Sequence, residues 1–173
     1  GRKLQGYVPI VKQGSKSGVT IATGFDLGAQ NETDLKRIGI SPALRTKFKL
    51  YLGKKRKDAI DLLAKAPLKI TLTEAESIDK AVKKDYAARL KKKYETSPYN
   101  KEKKAFFDLP AEAQTVIFSV AYQYGIGLNI KKPDFWEAVC IQDWEKAVKI
   151  LKNSTFYLPR RKKEASLLER IVR

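Results

Sequence analysis

The chain has 173 residues and a formal net charge of +17, with 36 Lys and Arg against 19 Asp and Glu. It holds no histidine and one cysteine, Cys140, which excludes an intramolecular disulfide, Ser-His-Asp catalysis and most zinc sites. No apolar run approaches the ~20 residues of a membrane span, and no apolar stretch of a signal peptide follows Gly1-Arg2-Lys3. An opening without Met is expected of a fragment or a processed form. The length suits one domain, of two lobes, with a sizeable core. Both halves are basic, the first more so. That excess implies an anionic partner: nucleic acid, an acidic membrane surface or an anionic cell-wall polymer.

Residues 1–6 are polar and read as the tail of a helix that began upstream. Tyr7-Val8-Pro9-Ile10-Val11 reads as a short edge strand, because Pro9 lacks a donor for a second neighbour. Residues 12–18 are a turn by composition. The β-branched residues Val19, Thr20, Ile21 and Thr23 predict the returning strand, from Val19 through Phe25. Asp26 follows it, between Gly24 and Gly28, and is the only acid in the first 31 residues. Such a carboxylate is either a structural turn aspartate or part of a polar site.

From Asn31 the pattern turns helical. Asn31 and its neighbours cap a helix through Ile38, and Gly39 stops it. Ser41-Pro42 starts another, ended by Gly53. Lys54-Lys55-Arg56-Lys57 opens the next, which Pro67 breaks. Four cations there oppose the helix dipole by about 0.3 kcal/mol or more each. They form either a solvated face or a site for a polyanion. A capping box from Thr73 to Glu76 is expected to open the longest helix, residues 73–95. Its inward row is Ile78, Val82, Tyr86, Leu90 and Tyr94. Residues 96–104 are a polar loop. Residues 110–124 form the most apolar helix, the expected centre of a second lobe. Pro133 starts a short helix to Cys140, whose apolar setting marks the thiol as a buried small side chain. Asp143 caps the next helix, and a last one spans residues 160–172. The fold class is α+β, mostly α. A small β-containing lobe, about 1–72, and a helical lobe, about 97–173, are joined by the helix 73–95.

The layout and several phrases resemble the phage-type lysozymes. Leu72-Thr73-Glu74-Ala75-Glu76 is similar to that family's connecting-helix start. Phe107-Asp108-Leu109 through Val120-Ala121-Tyr122-Gln123-Tyr124-Gly125 resembles its central helix. Trp144-Glu145-Lys146-Ala147 and Tyr157-Leu158-Pro159-Arg160-Arg161 resemble its C-terminal helices. The stretch from Gly18 to Gly28, with Gly6-Tyr7-Val8-Pro9 before it, is similar to the branch of pesticin-type bacteriocins and secretion-system effector muramidases.

The resemblance implies a lysozyme-like fold. It implies hydrolysis of the β-1,4 bond between N-acetylmuramic acid and N-acetylglucosamine in peptidoglycan, with no metal or cofactor. It matches Asp26 to the second carboxylate and Thr20 to a threonine that positions water. Tyr7, Tyr122 and Gln123 match substrate-binding positions. Arg161 matches an arginine that pairs with the catalytic Glu. That Glu precedes a glycine matched by Gly1, so the resemblance places the general acid one position before Gly1, and this chain taken alone is expected to be inactive or severely impaired. The implied partners are peptidoglycan strands, the anionic envelope surface and, for a toxin, an immunity protein. Secretion or delivery to the periplasm is expected, as is a monomer that binds no nucleic acid. Three other readings stay open: a nucleic-acid-binding module using residues 54–57, 91–93 and 160–163, a non-catalytic peptidoglycan binder, and a membrane-perturbing cationic protein.

Overall fold

A computed structural model describes residues 1–9 and 16–172. Ile10 and Val11 of the expected edge strand, and residues 12–15 of the expected turn, lie outside them. The chain divides into two compact units, Gly1–Asp85 and Tyr86–Arg173.

The first unit is built on a three-stranded antiparallel sheet in the order β1 (Lys3–Tyr7), β2 (Thr20–Ala22), β3 (Phe25–Asp26). Residues 3–6 are therefore strand, not the end of a helix, and Tyr7, read as the first residue of the edge strand, is the last of β1. Their polar side chains are mostly exposed, and pairing with other segments decides their conformation. The N–H of Gly6 donates to Leu68 O at 2.8 Å, and that of Ile70 to Leu4 O at 2.9 Å. The expected single strand through Phe25 is two strands, because the chain reverses at Thr23-Gly24, with Gly24 at φ +89°.

Four helices follow: α1 (Glu32–Ile38), α2 (Pro42–Phe48), α3 (Arg56–Lys65) and α4 (Leu72–Glu95), of which residues up to Asp85 belong to this unit. Asn31 and Asp34 form a capping box on α1, and Gly39 ends it in the left-handed region. Ser41 caps α2 with Pro42 in its first turn. The box that opens α4 is Thr71 with Glu74, not Thr73 with Glu76. The Thr71 hydroxyl accepts from Glu74 N at 3.1 Å, and the Glu74 carboxylate accepts from Thr71 N at 2.8 Å. The 24 residues of α4 rise about 36 Å.

Val19, Ile21, Leu27, Leu35, Leu44, Phe48, Ile70 and Ile78 form the apolar core of this unit. Each large side chain withdrawn from water contributes roughly 1.5–3 kcal/mol. Asp79 of α4 ties the sheet to that core. It accepts Thr23 N at 3.2 Å, Thr23 Oγ1 at 2.8 Å and Arg2 Nε at 2.7 Å. Burial pushes its carboxyl up, but the bonds from Arg2 and Thr23 outweigh this and hold it below the usual range.

The second unit is helical. It holds the end of α4, then α5 (Ala111–Tyr124), α6 (Leu128–Lys131), α7 (Pro133–Cys140), α8 (Trp144–Lys152) and α9 (Leu158–Glu169). The sequence reading misses α6 and starts α9 two residues late. Ala113, Val116, Ile117, Val120 and Ala121 bury α5 among the helices of this unit. Phe106 meets Tyr94 and Phe118 edge-on at 5.6 and 5.4 Å between ring centres. Among the described residues no helix is long and apolar enough to cross a membrane.

Two glycines give a contrast that tests this packing. A Cβ on Gly28 would lie 2.5 Å from the Lys54 carbonyl oxygen, whereas one on Gly24 meets nothing within 4 Å. Gly28→Ala is expected to cost about 3 kcal/mol of unfolding free energy, and Gly24→Ala about 1 kcal/mol from its positive φ alone. Urea melts of both variants check the order, and equal losses would contradict it.

Candidate functional site

The register of the sheet lines up three polar residues. Tyr7 of β1 pairs with Thr20 of β2, and Thr20 pairs with Asp26 of β3. Directly paired residues of antiparallel strands share a face, with Cβ atoms about 5 Å apart. Tyr7, Thr20 and Asp26 therefore stand side by side across the sheet. The alternate pair, Ile21 with Phe25, belongs to the core. Along the row Tyr7 is exposed, Asp26 half-buried and Thr20 buried.

Backbone donors hold Asp26 in place. Its Oδ1 accepts the N–H of Gly28 at 2.8 Å and that of Gly18 at 3.1 Å. Among the described residues no hydrogen bond reaches Oδ2 and no cation pairs with the carboxylate. The same junction explains both glycines. A Cβ on Gly18 would lie 2.3 Å from Lys54 O and 2.5 Å from the Gly28 Cα. Only two bare backbones can approach so closely. Leu27 N donates to Val19 O at 2.9 Å, and Arg56 N to Ser17 O at 2.9 Å. The Thr20 hydroxyl donates to Gly18 O at 3.2 Å, which commits its proton and leaves its oxygen as an acceptor. One carboxylate oxygen is thus fixed, and the other is available for a proton or a developing positive charge.

The second unit brings together Gln123 and Arg161. Arg161 is only 1% exposed. Its Nη2 donates to Gln123 Oε1 at 2.6 Å, and its guanidinium lies 5.6 Å from the Tyr124 ring centre. Its charge partner is Glu164, one turn along α9, with Nη1 2.7 Å from Oε2. Neither atom has an aligned hydrogen-bond partner, so the contact is an ion pair in poor hydrogen-bonding geometry. Ser119 donates to Glu164 Oε1 at 2.5 Å. Ser119 and Gln123, one turn apart on α5, thereby hold Glu164 and Arg161, three residues apart on α9. The sequence reading did not single out Glu164 or Ser119. The i, i+3 spacing of Arg161 and Glu164 was the available signal. Tyr122 lies on the open side of α5, half exposed.

Cys140 is buried, and burial pushes its thiol up to about 11, which suits packing rather than nucleophilic chemistry. Among the described residues no group of three or more Cys, Asp or Glu side chains is arranged to hold a metal ion.

A family model described as "Pesticin: Bacterial toxin homologue of phage lysozyme, C-term" matches residues 1–145. The chain belongs to the pesticin family. The small N-terminal sheet and the predominance of helix agree with the lysozyme-like α+β fold read from the sequence. No curated protein matches the chain. The matched residues of this pesticin-family domain include the Tyr7–Thr20–Asp26 row, Tyr122 and Gln123. Arg161, Glu164 and the rest of α9 lie past the matched region.

Two outcomes follow from this geometry. Asn at position 26 keeps an oxygen for both glycine N–H groups, whereas Ala removes it. Asp26→Asn is expected to cost under about 1 kcal/mol of stability and Asp26→Ala about 3 kcal/mol, as read by urea denaturation. Similar losses would contradict the backbone junction. Burial raises the Glu164 carboxyl above its ordinary range, against the opposing pull of Ser119, Arg161 and Arg160. A carboxyl whose pKa is higher folded than unfolded holds its proton more tightly when folded. Stability therefore falls as the pH rises from below the ordinary value of 4.5 through the raised one. Over that rise the wild type is expected to lose stability relative to Glu164→Gln. A difference independent of pH would contradict this.

Proposed function

We propose that this domain is a muramidase that cleaves the β-1,4 bond between N-acetylmuramic acid and N-acetylglucosamine in peptidoglycan. Membership of a family of phage-lysozyme-like bacterial toxins supports a glycan-hydrolysing toxin domain. The observation that carries the finer reading is the Tyr7–Thr20–Asp26 row, with Asp26 fixed through one oxygen only.

Such hydrolysis needs an acid to protonate the leaving oxygen and a second group for water or for the oxocarbenium charge. Asp26 is the second group. Its Oδ1 stays with the glycine N–H groups while Oδ2 takes a proton from water or faces the charged sugar ring. The Thr20 hydroxyl, already donating to Gly18 O, accepts a hydrogen bond from the attacking water and so orients it. Tyr7, at the exposed end of the row, packs against a sugar. Tyr122 and Gln123, the latter braced by Arg161, bind the glycan. The family resemblance assigns the acid to a Glu directly before Gly1.

The net charge of +17 draws the domain to the anionic envelope and wall. Its place of action is the periplasm or cell wall, and a cell that makes it needs an immunity protein.

The assay uses the chain with Glu placed directly before Gly1. It is expected to release reducing ends from purified peptidoglycan, and the same chain with Gln at that position is not. Asp26→Asn is expected to lower kcat about 100-fold, and Thr20→Ala about tenfold, with circular dichroism unchanged. No reducing ends from the Glu-bearing chain would contradict the glycosidase reading. Full activity in Asp26→Asn would leave Asp26 with its backbone role alone.

A further inference from the structure

We propose that the cationic segment Lys54-Lys55-Arg56-Lys57 binds the carboxylates of the peptide stem carried by N-acetylmuramic acid, so that stem-bearing peptidoglycan is preferred over bare glycan strands. This rests on the muramidase reading above.

All four side chains are exposed. Lys54, Lys55 and Lys57 have no ion-pair partner among the described residues, whereas Lys47 and Lys49 nearby pair with Glu74 and Glu32. The segment is fastened to the backbone that carries the Asp26 junction. Lys55 forms an antiparallel bridge with Gly18, and Arg56 N donates to Ser17 O at 2.9 Å. The Lys54 carbonyl fills the space where a Cβ on Gly18 or Gly28 would stand. The N–H groups of those two glycines are the ones that Asp26 Oδ1 accepts. The backbone that carries the cations thus lies against the two glycines that hold Asp26.

Local structure is unfavourable for cations here. They occupy the start of α3, against the helix dipole, where no side chain caps the helix. Arg56 has φ +53°, which side chains rarely adopt.

The chemistry of the substrate supplies the matching charge. The muramic sugar at the scissile bond bears a lactyl ether, and the stem attached to it carries free carboxylates. Binding of that sugar against Thr20 and Asp26 brings those carboxylates to the neighbouring surface. A wall polymer that is not tethered to the sugar has no such constraint.

The experiment compares stem-bearing peptidoglycan with strands stripped of peptide by an amidase, using the chain with Glu before Gly1. The triple variant Lys54→Gln, Lys55→Gln, Lys57→Gln is expected to raise KM about tenfold on stem-bearing substrate. It is expected to keep kcat there and to match the parent on stripped strands. A control triple, Lys80→Gln, Lys83→Gln, Lys84→Gln, removes the same charge from exposed positions of α4. An equal KM rise in the control would reduce the effect to long-range attraction and overturn the proposal. So would a KM rise on both substrates alike, or no rise on either. Absence of product from the parent on both substrates would instead overturn the muramidase reading. Direct binding of a free stem peptide, measured by fluorescence anisotropy, then tests the segment alone. Binding lost in the first triple and kept in the control supports the proposal; unchanged binding in both, or none to the parent, overturns it.

Discussion

Two glycine backbones and a lysine carbonyl meet where no side chain fits, and one carboxylate oxygen joins the glycines. The Asp26 Oδ1 bonds to Gly18 and Gly28 organise the sheet side of the first unit. They fix where β3 ends and how the chain turns out of it, and they seat the segment that leads into α3. Any Cβ at either glycine would push Lys54 away and open the junction. Asp26 is therefore constrained for structural reasons before any catalytic one is invoked. The two roles are compatible because they fall on different oxygens.

The second unit rests on a different kind of constraint. Arg161 is an almost fully buried cation, and Glu164 is its buried partner. Buried pairs of this sort contribute little net stability, because desolvation offsets their attraction, but loss of one partner is costly. Their value here is in register. Ser119 and Gln123 on α5 hold Glu164 and Arg161 on α9, so the two helices can meet in one alignment only. That alignment also fixes the Gln123 side chain, which the proposed function places against the glycan.

Local chemistry was legible from the residues. Asn31, Ser41-Pro42 and Asp143 act on backbone groups within a turn of themselves, and Gly39 supplies the left-handed end of α1. Where partners lie far along the chain, the pattern misled. Residues 3–6 are strand because they bond across to the segment between α3 and α4, Gly6 N to Leu68 O and Ile70 N to Leu4 O, which no local pattern shows. Two overlapping capping boxes fit the residues from Thr71 to Glu76. The bond from Ile70 N to Leu4 O ends the extended segment at the earlier one. The short α6 carries too few residues for a periodicity. Asp26 stood open between two roles in the bare sequence, and the resemblance to phage-type lysozymes singled it out with Thr20 and Tyr7. Their alignment was not visible, because an irregularity in β1 between Lys3 and Tyr7 shifts the register. The resemblance marks Arg161, but its contacts with Gln123 and Glu164 arise only from the packing of α5 on α9 and from the i, i+3 spacing within α9.

The family gives a lysozyme-like toxin domain, and the proposed function takes Asp26 of the polar row as its second carboxylate. The claim that joins them is cleavage on the muramic side of the glycan repeat by addition of water. Reduction of the digest with borohydride and mass spectrometry of the products tests it most directly, with Glu placed before Gly1. The account predicts fragments ending in reduced N-acetylmuramic acid. Fragments ending in reduced N-acetylglucosamine, or 1,6-anhydro ends that borohydride leaves untouched, would contradict it.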